Sequence, residues 1–150
     1  GVSASEALAT IGITLQVNDV GTAVWNTALE ANTCEIWAAA WQATADPDMY
    51  QVYHSSNANG AGTNSNHYQI QDAELDQLIM DGRGSADNDF RTATYKTAME
   101  VIMDWGVELP LYQRKDAIVS STERVVTDSL PQDMTPYWVW YAEIETLAVQ

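Results

Sequence analysis

The pattern of apolar and polar positions changes its period between residues 11 and 41. Residues 11–17 alternate loosely between apolar and polar side chains, which is typical of a half-buried strand. From Gly21 to Ala31, apolar residues recur at three- and four-residue intervals, which predicts an amphipathic helix of about three turns. Residues 36–41 form a short apolar run that predicts a second strand. The order strand, helix, strand favours a parallel pair with the helix on one face.

Two further helices are predicted in the middle of the chain. The first begins near Asp72, where acids favour a helix start, and ends at a glycine in residues 82–84. The second is capped by Ser85 or Asp87 and ends at Gly106. One face of this helix is predicted to pack in the core, and Trp25 on the earlier helix is predicted to do the same. The positions on that face are Phe90, Thr94, Ala98, Val101, Ile102 and Trp105.

Turn-forming residues separate these elements. Pro47 fixes its own φ and favours an extended Asp46, so Asp46-Pro47-Asp48 is predicted as a turn in which Asp46 or Asp48 caps a short helix. Residues 55–66 are rich in Asn and Gly and are predicted to form an irregular surface loop.

Short β-type segments fill the last third of the chain. Residues 108–112, 117–119 and 125–126 are strand candidates, the first of them entered through a proline. The tail adds an apolar run at 137–141 and a last β-like segment at 144–149. Together with the helices, these segments predict an α/β fold with a mixed sheet flanked by helices.

Composition narrows the classes of partner. The 150 residues are enough for one core, and 46% of them are hydrophobic. The 21 acidic residues face only 6 basic ones, for a net charge of -15. Nucleic acid and anionic membrane surfaces are excluded, because both are bound through clustered Lys and Arg. No run of 18 apolar residues exists to cross a membrane.

Catalytic and metal-binding patterns are not recognisable. His54 and His67 stand on either side of the polar loop at a spacing that matches no metal motif. Cys34 is the only cysteine, and no Gly-x-Ser-x-Gly elbow occurs. Gly82-Arg83-Gly84 lies between helices, which is the wrong context for a phosphate loop. We therefore expect neither an enzyme nor a bound cofactor or metal.

Marker residues along the chain follow an order that resembles the C-terminal part of the family 5 extracellular solute-binding proteins, the oligopeptide and dipeptide receptors of ABC importers. The resemblance covers residues 10–115. The markers are Ile11-Gly12-Ile13, Trp25, Trp41, Asp46-Pro47-Asp48, Tyr53-His54-Ser55, Tyr68 with Asp76-x-Leu78, Arg91-x-x-x-Tyr95 and Leu109-Pro110-Leu111-Tyr112.

The resemblance implies an architecture and a location. The chain would be a fragment containing one α/β lobe of a type II periplasmic-binding-protein fold in residues 1–112. Residues 113–150 would be hinge-return strands that join the first lobe. The receptor would be an extracytoplasmic monomer, periplasmic or lipid-anchored, that encloses a small solute between two lobes and presents it to a membrane permease. A peptide is the first expectation for that solute.

The resemblance also implies a ligand-binding segment. Trp41 matches a tryptophan that lines the cleft, and Gln42 and Ala43 match the backbone edge beside it. Peptide receptors carry an aspartate for the ligand's α-amino group where this chain has Thr44, and a neutral hydroxyl does not supply the same charge-assisted bond. Asp46 either substitutes for that aspartate or acts as a structural turn acid. Oligosaccharides, metal chelates and opine-like solutes therefore stay open as ligands.

Two other classes of function compete with solute capture. An acidic surface domain for protein interaction would use tryptophans as interface anchors, with Trp138 and Trp140 in the tail as candidates. A hydrolase would depend on His54 or His67. Arginine side chains at Arg83, Arg91 and Arg114 are candidate contacts for a ligand carboxylate, although for Arg91 local packing or pairing is the expectation.

Overall fold

The computed structural model describes residues 2–42, 44–115, 117–135 and 137–149. The chain divides into two compact units, Gly1–Ala38 with Gln51–Gln71 and Ala39–Tyr50 with Asp72–Gln150. The elements of the described residues are helical. They are the α-helices α1 (Val2–Ala9), α2 (Thr22–Glu30), α3 (Tyr50–Tyr53), α4 (Ala73–Gly84) and α5 (Asn88–Asp104), and 3₁₀ helices at Ser55–Asn57, Thr127–Ser129 and Ile144–Thr146.

The predicted α/β fold with a mixed sheet is wrong for this structure. Among the described residues no strand forms, and the β pairing there consists of one isolated antiparallel bridge between Val125 and Val149. Residues 13–17, 36–41 and 108–112 have strand-like sequences but lie in irregular backbone. A strand requires a hydrogen-bonded neighbour, which an alternating sequence does not provide by itself. The α/β lobe is therefore replaced by helices joined by long irregular segments.

The side chains of these unpaired segments show the consequence of lacking a sheet. Leu109 and Tyr112 are 78% and 86% exposed, and Val119 is 96% exposed. Ile13 and Ile36 are exposed as well. Apolar residues that a sheet would cover on one face thus remain in contact with solvent.

The second unit is built on an α4–α5 hairpin. Leu75 and Ile79 of α4 are fully buried against α5, whose Ala98 and Ile102 are also buried. Burying side chains of this size stabilises by about 1.5–3 kcal/mol each. The two helices meet closely at Gly82, because a Cβ there would lie 2.5 Å from the ring of Tyr95. The glycine is needed for this approach.

Both hairpin helices start and stop where the sequence predicts. The Asp72 side chain accepts hydrogen bonds from the Glu74 and Leu75 amides at the start of α4. Asp87 caps α5 in the same way, and Gly106 follows that helix with a φ of 65°. The predicted core face is confirmed in part, since its central positions are buried. Phe90 and Trp105 at its two ends are about half exposed.

The first unit contains α1, α2 and the loop around residues 54–71. Helix α2 is confirmed, with Leu29 buried and Trp25 half-buried. Helix α1 was not among the predicted elements, although its alanines, Glu6 and Leu8 are strong helix formers.

The polar loop at residues 55–66 is more ordered than predicted. Asn66 is fully buried, and its side-chain amide donates to the carbonyl oxygens of Tyr53, His54 and Ile70 at 3.2, 3.3 and 2.9 Å. Its side-chain oxygen accepts from the Ile70 amide at 3.3 Å. Asn57, 2% exposed, accepts from the Thr63 amide in the same loop. Buried asparagines, which satisfy backbone groups, therefore fix the loop.

Candidate functional site

The predicted ligand-binding segment runs along the second unit just before α3. Trp41 is 55% exposed, and Gln42, Thr44 and Asp46 are exposed beside it. Ala43 lies outside the described residues. The described part of the segment forms neither helix nor strand.

The polar side chains at Thr44 and Asp46 are engaged with the turn itself. The Thr44 hydroxyl donates to the backbone carbonyl of Asp46. The Asp46 carboxylate accepts from the Arg91 guanidinium, with Oδ1 and Nη2 separated by 2.8 Å. Asp46 therefore has a partner within the fold, as a structural turn acid requires.

Arg91 holds the turn from the first part of α5. Its Nη2 also donates to the Pro47 carbonyl at 3.2 Å, and its Nε donates to the Gly82 carbonyl near the end of α4 at 3.1 Å. Its side chain is only 18% exposed, whereas that of Asp46 is 75% exposed. One planar guanidinium with several donors thus joins the turn to both helices of the hairpin.

The charges around Arg91 reinforce this arrangement. The Asp46 carboxylate, followed by the Tyr95 side chain, raises the pKa of the Arg91 guanidinium above its usual value. The Tyr95 ring also lies 5.7 Å from the guanidinium carbon, within the range of a cation–π contact. Arg91 is therefore a fixed positive charge, and the expectation that it pairs locally is confirmed.

A second arginine holds the other acid of the same turn. Arg83, in the last turn of α4, lies 3.3 Å from a carboxylate oxygen of Asp48. Its guanidinium carbon is 4.4 Å from the centre of the Tyr50 ring. Asp48 also accepts from the Tyr50 amide at 2.9 Å, which confirms its predicted capping role. The two acids on either side of Pro47 are thus each matched by an arginine.

Sequence reasoning named Arg83 and Arg91 but did not pair them with the turn. The sequence signal that could have indicated this pairing was the break between α4 and α5, which turns the second helix back along the first. That reversal brings the end of α4 and the start of α5 together. Arg83 and Arg91 lie at those two ends, where they pair with Asp48 and Asp46 on either side of Pro47.

The candidate catalytic histidines serve the loop of the first unit. His54 caps the 3₁₀ helix at Ser55–Asn57, its Nδ1 accepting from the Ser56 amide at 3.1 Å. His54 and His67 are both half-buried. Within the part of the chain that the structure describes, no group of three or more His, Cys, Asp or Glu side chains is placed to hold a metal ion.

An aromatic stack stands beside these histidines in the first unit. The rings of Tyr53 and Tyr68 are nearly parallel, with centroids 5.5 Å apart, and Trp37 continues the stack at 5.6 Å from Tyr68. All three rings are half-buried. Because the central ring is covered on both sides, this stack is a packing element of the unit.

Comparisons with protein-family models, curated proteins and solved structures find no match to this chain. Among the described residues, none of the helices combines the length and the apolar character that a bilayer crossing requires.

Proposed function

We propose that this chain is part of an extracytoplasmic receptor that captures a small solute and presents it to the membrane permease of an ABC importer. A peptide is the first candidate for the solute. Capture involves no covalent chemistry. The support for this function is the order of marker residues in the sequence together with the surroundings of Trp41.

The exposure of Trp41 is the observation that carries the proposal. An indole offers a broad apolar face and one N–H donor, which suits a ligand that is apolar on one side and polar on another. Trp41 is 55% exposed although it is the largest side chain of its segment. Five residues later the chain is fixed at Asp46 by Arg91, so the segment that presents the indole is anchored at that end.

Solute capture of this kind needs a second surface. A receptor that closes around its ligand takes contacts from both sides, and either side alone supplies only part of the binding energy. We therefore expect weak binding by the 150-residue chain, in the range of about 1 mM, which corresponds to about 4 kcal/mol.

A solute other than a peptide is the alternative within the same class. Thr44 stands where a carboxylate would read an ammonium, and its hydroxyl donates to the Asp46 carbonyl. A saccharide needs no ammonium contact and stacks on an indole through the C–H face of its ring.

A protein-interaction surface is the second candidate class, favoured by the tail. Trp138 and Trp140 are about half exposed, and Trp140 meets Tyr141 edge to face at 5.6 Å. Aromatic side chains of this type are frequent anchors in protein interfaces. If the tail were the functional surface, replacing Trp138 or Trp140 would abolish partner binding and replacing Trp41 would not.

Native mass spectrometry distinguishes these possibilities. The chain is mixed with equal concentrations of trialanine and maltotriose, and noncovalent adducts are counted. An adduct with trialanine supports a peptide receptor, and one with maltotriose supports a saccharide receptor. The Trp41→Ala variant should lose the adduct, whereas Trp138→Ala, which removes an indole of similar exposure, should keep it. Absence of both adducts from the unmodified chain contradicts solute capture.

A further inference from the structure

We infer that Arg91 is a specificity-determining residue, because by pairing with Asp46 it makes the surface around Trp41 indifferent to the ammonium group of a peptide ligand. This inference rests on the proposed function and concerns its substrate class. It assigns the solutes to the class that is bound without a contact to a free α-amino group, so that a peptide and its N-blocked form bind equally.

Asp46 is the acid nearest to Trp41 in the sequence, and its charge is already matched. A peptide ammonium is recognised by a carboxylate whose charge is not cancelled by a closer cation. The 2.8 Å contact with Arg91 leaves a pair with no net charge. The attraction that remains for an approaching ammonium is that of a dipole, and it falls off faster with distance than that of a lone carboxylate.

The pair is held by more than the attraction between its two members. Arg91 keeps its position through its bonds to the Pro47 and Gly82 carbonyls, which do not depend on Asp46. The guanidinium is 18% exposed and therefore mostly withdrawn from water. An incoming ammonium would thus have to compete with a cation that is fixed in place and always charged.

Thr44 does not replace the missing charge. Its hydroxyl donates to the carbonyl of Asp46, so the side chain stabilises the same turn. If the Thr44 hydroxyl also accepted a hydrogen bond from an ammonium, that bond would join a neutral group to a charged one and would lack the attraction of an opposite charge. The polar side chains of Thr44 and Asp46 therefore both contribute to holding the turn.

Binding of two probes tests the inference. Trialanine and N-acetyl-trialanine differ in the charged α-amino group, and each is titrated by calorimetry into the 150-residue chain. We expect the two affinities to agree within about twofold. In Arg91→Gln, which frees Asp46, trialanine should bind about three- to fivefold tighter than its acetylated form, the range for a solvent-exposed ion pair.

Three further variants keep the test decisive. Arg83→Gln is the matched control, because it frees Asp48 in the same turn and should leave the two affinities equal. Arg91→Lys retains the charge and should also leave them equal. Asp46→Asn removes the carboxylate and should leave the ratio of the two affinities unchanged. Far-UV circular dichroism will show whether Arg91→Gln folds, and Asp46→Asn keeps the inference testable if it does not.

Two results would overturn the inference. One is an unmodified chain that prefers trialanine by more than threefold and loses this preference in Asp46→Asn, since Asp46 would then read the ammonium despite its partner. The other is a folded Arg91→Gln variant with equal affinities. Failure of both probes to bind the unmodified chain is a distinct outcome, because it contradicts capture of a peptide, the first candidate of the proposed function, and the inference with it.

Discussion

Replacing Asn66 with aspartate tests the reasoning about the loop of the first unit most severely. The two side chains have nearly the same shape, so the substitution changes hydrogen bonding and charge without opening a cavity. Asn66 is fully buried, and its amide nitrogen faces the carbonyl oxygens of Tyr53, His54 and Ile70 at 2.9–3.3 Å. A carboxylate at the same place would direct negative charge at three acceptors.

The expected cost follows from these contacts. Each buried acceptor that loses its donor costs about 1–3 kcal/mol, and a buried charge without a partner costs about 3–5 kcal/mol. A buried aspartate avoids the cost of the unpaired charge by binding a proton, so the two costs do not simply add. We expect Asn66→Asp to lower the free energy of unfolding by about 3–5 kcal/mol at pH 7. Whole domains have only about 5–15 kcal/mol of stability, so this loss would remove a large share of it.

The loss should depend on pH in a definite direction. Burial among carbonyls raises the pKa of an aspartate at position 66 in the folded chain above its unfolded value. The protonated form is neutral and restores one donor, so the variant is least destabilised at low pH and loses stability as the pH rises through the folded pKa. Relative to the unmodified chain, the loss at pH 4 should fall to about 1–2 kcal/mol.

Urea unfolding followed by far-UV circular dichroism at pH 4 and pH 7 measures both effects. Asn59→Asp is the matched control, because Asn59 lies in the same loop but is exposed. It should stay within about 0.5 kcal/mol of the unmodified chain at pH 7. A loss for Asn66→Asp that equals that of Asn59→Asp, or that is the same at both pH values, would refute the reasoning.

Substitutions at two further positions probe the α4–α5 hairpin. Gly82→Ala places a Cβ against the Tyr95 ring at 2.5 Å, so we expect it to lower stability by about 1–3 kcal/mol in urea unfolding, although alanine is the better helix former. An unchanged midpoint would show that the ring moves freely. Asp72→Ala removes a helix cap and should cost about 1 kcal/mol at pH 7, whereas Asp72→Asn keeps the cap and should cost less. The Trp105 indole N–H and the Leu75 amide, opposed by burial, lower the pKa of Asp72, so its contribution is present above the unfolded pKa near 3.8 and is lost as the pH falls through the lower folded value. Thermal melts of Asp72→Ala that differ from the unmodified chain by the same amount at pH 2 and pH 7 would contradict this assignment.

Helices α2, α4 and α5 were predictable because their signals are local. The start of α4 is set by Asp72 and the start of α5 by Asp87, each acting on amides two and three residues away. The three- and four-residue spacing of apolar side chains likewise needs no information from elsewhere in the chain. Helix bounds could therefore be read from short stretches of sequence.

The predicted strands failed because a strand depends on a distant neighbour. Leu109 and Leu111 alternate with Glu108 and Pro110 as strand residues do, yet nothing in that spacing supplies the adjacent strand. Among the described residues, the pairing between Val125 and Val149 is a single bridge. An alternating pattern therefore identified β propensity and not a sheet.

The candidate site was predictable only in part for a similar reason. Trp41 was proposed from the resemblance, and Asp46 from its place at a proline turn. The pairing of Asp46 with Arg91 joins positions 45 residues apart, which no local pattern shows. The buried role of Asn66 was hidden too, because a sequence rich in Asn and Gly gives no sign of which asparagine faces inward.

Solute binding at Trp41 is the central claim, and calorimetric titration with trialanine tests it most directly. The unmodified chain, Trp41→Ala and Trp138→Ala are titrated at one protein concentration and their folding is compared by circular dichroism. We expect weak binding by the unmodified chain and by Trp138→Ala, and an affinity about tenfold lower or more for Trp41→Ala. Equal affinity of the unmodified chain and a folded Trp41→Ala variant would contradict binding at Trp41, and no binding of trialanine by either would contradict a peptide as the solute.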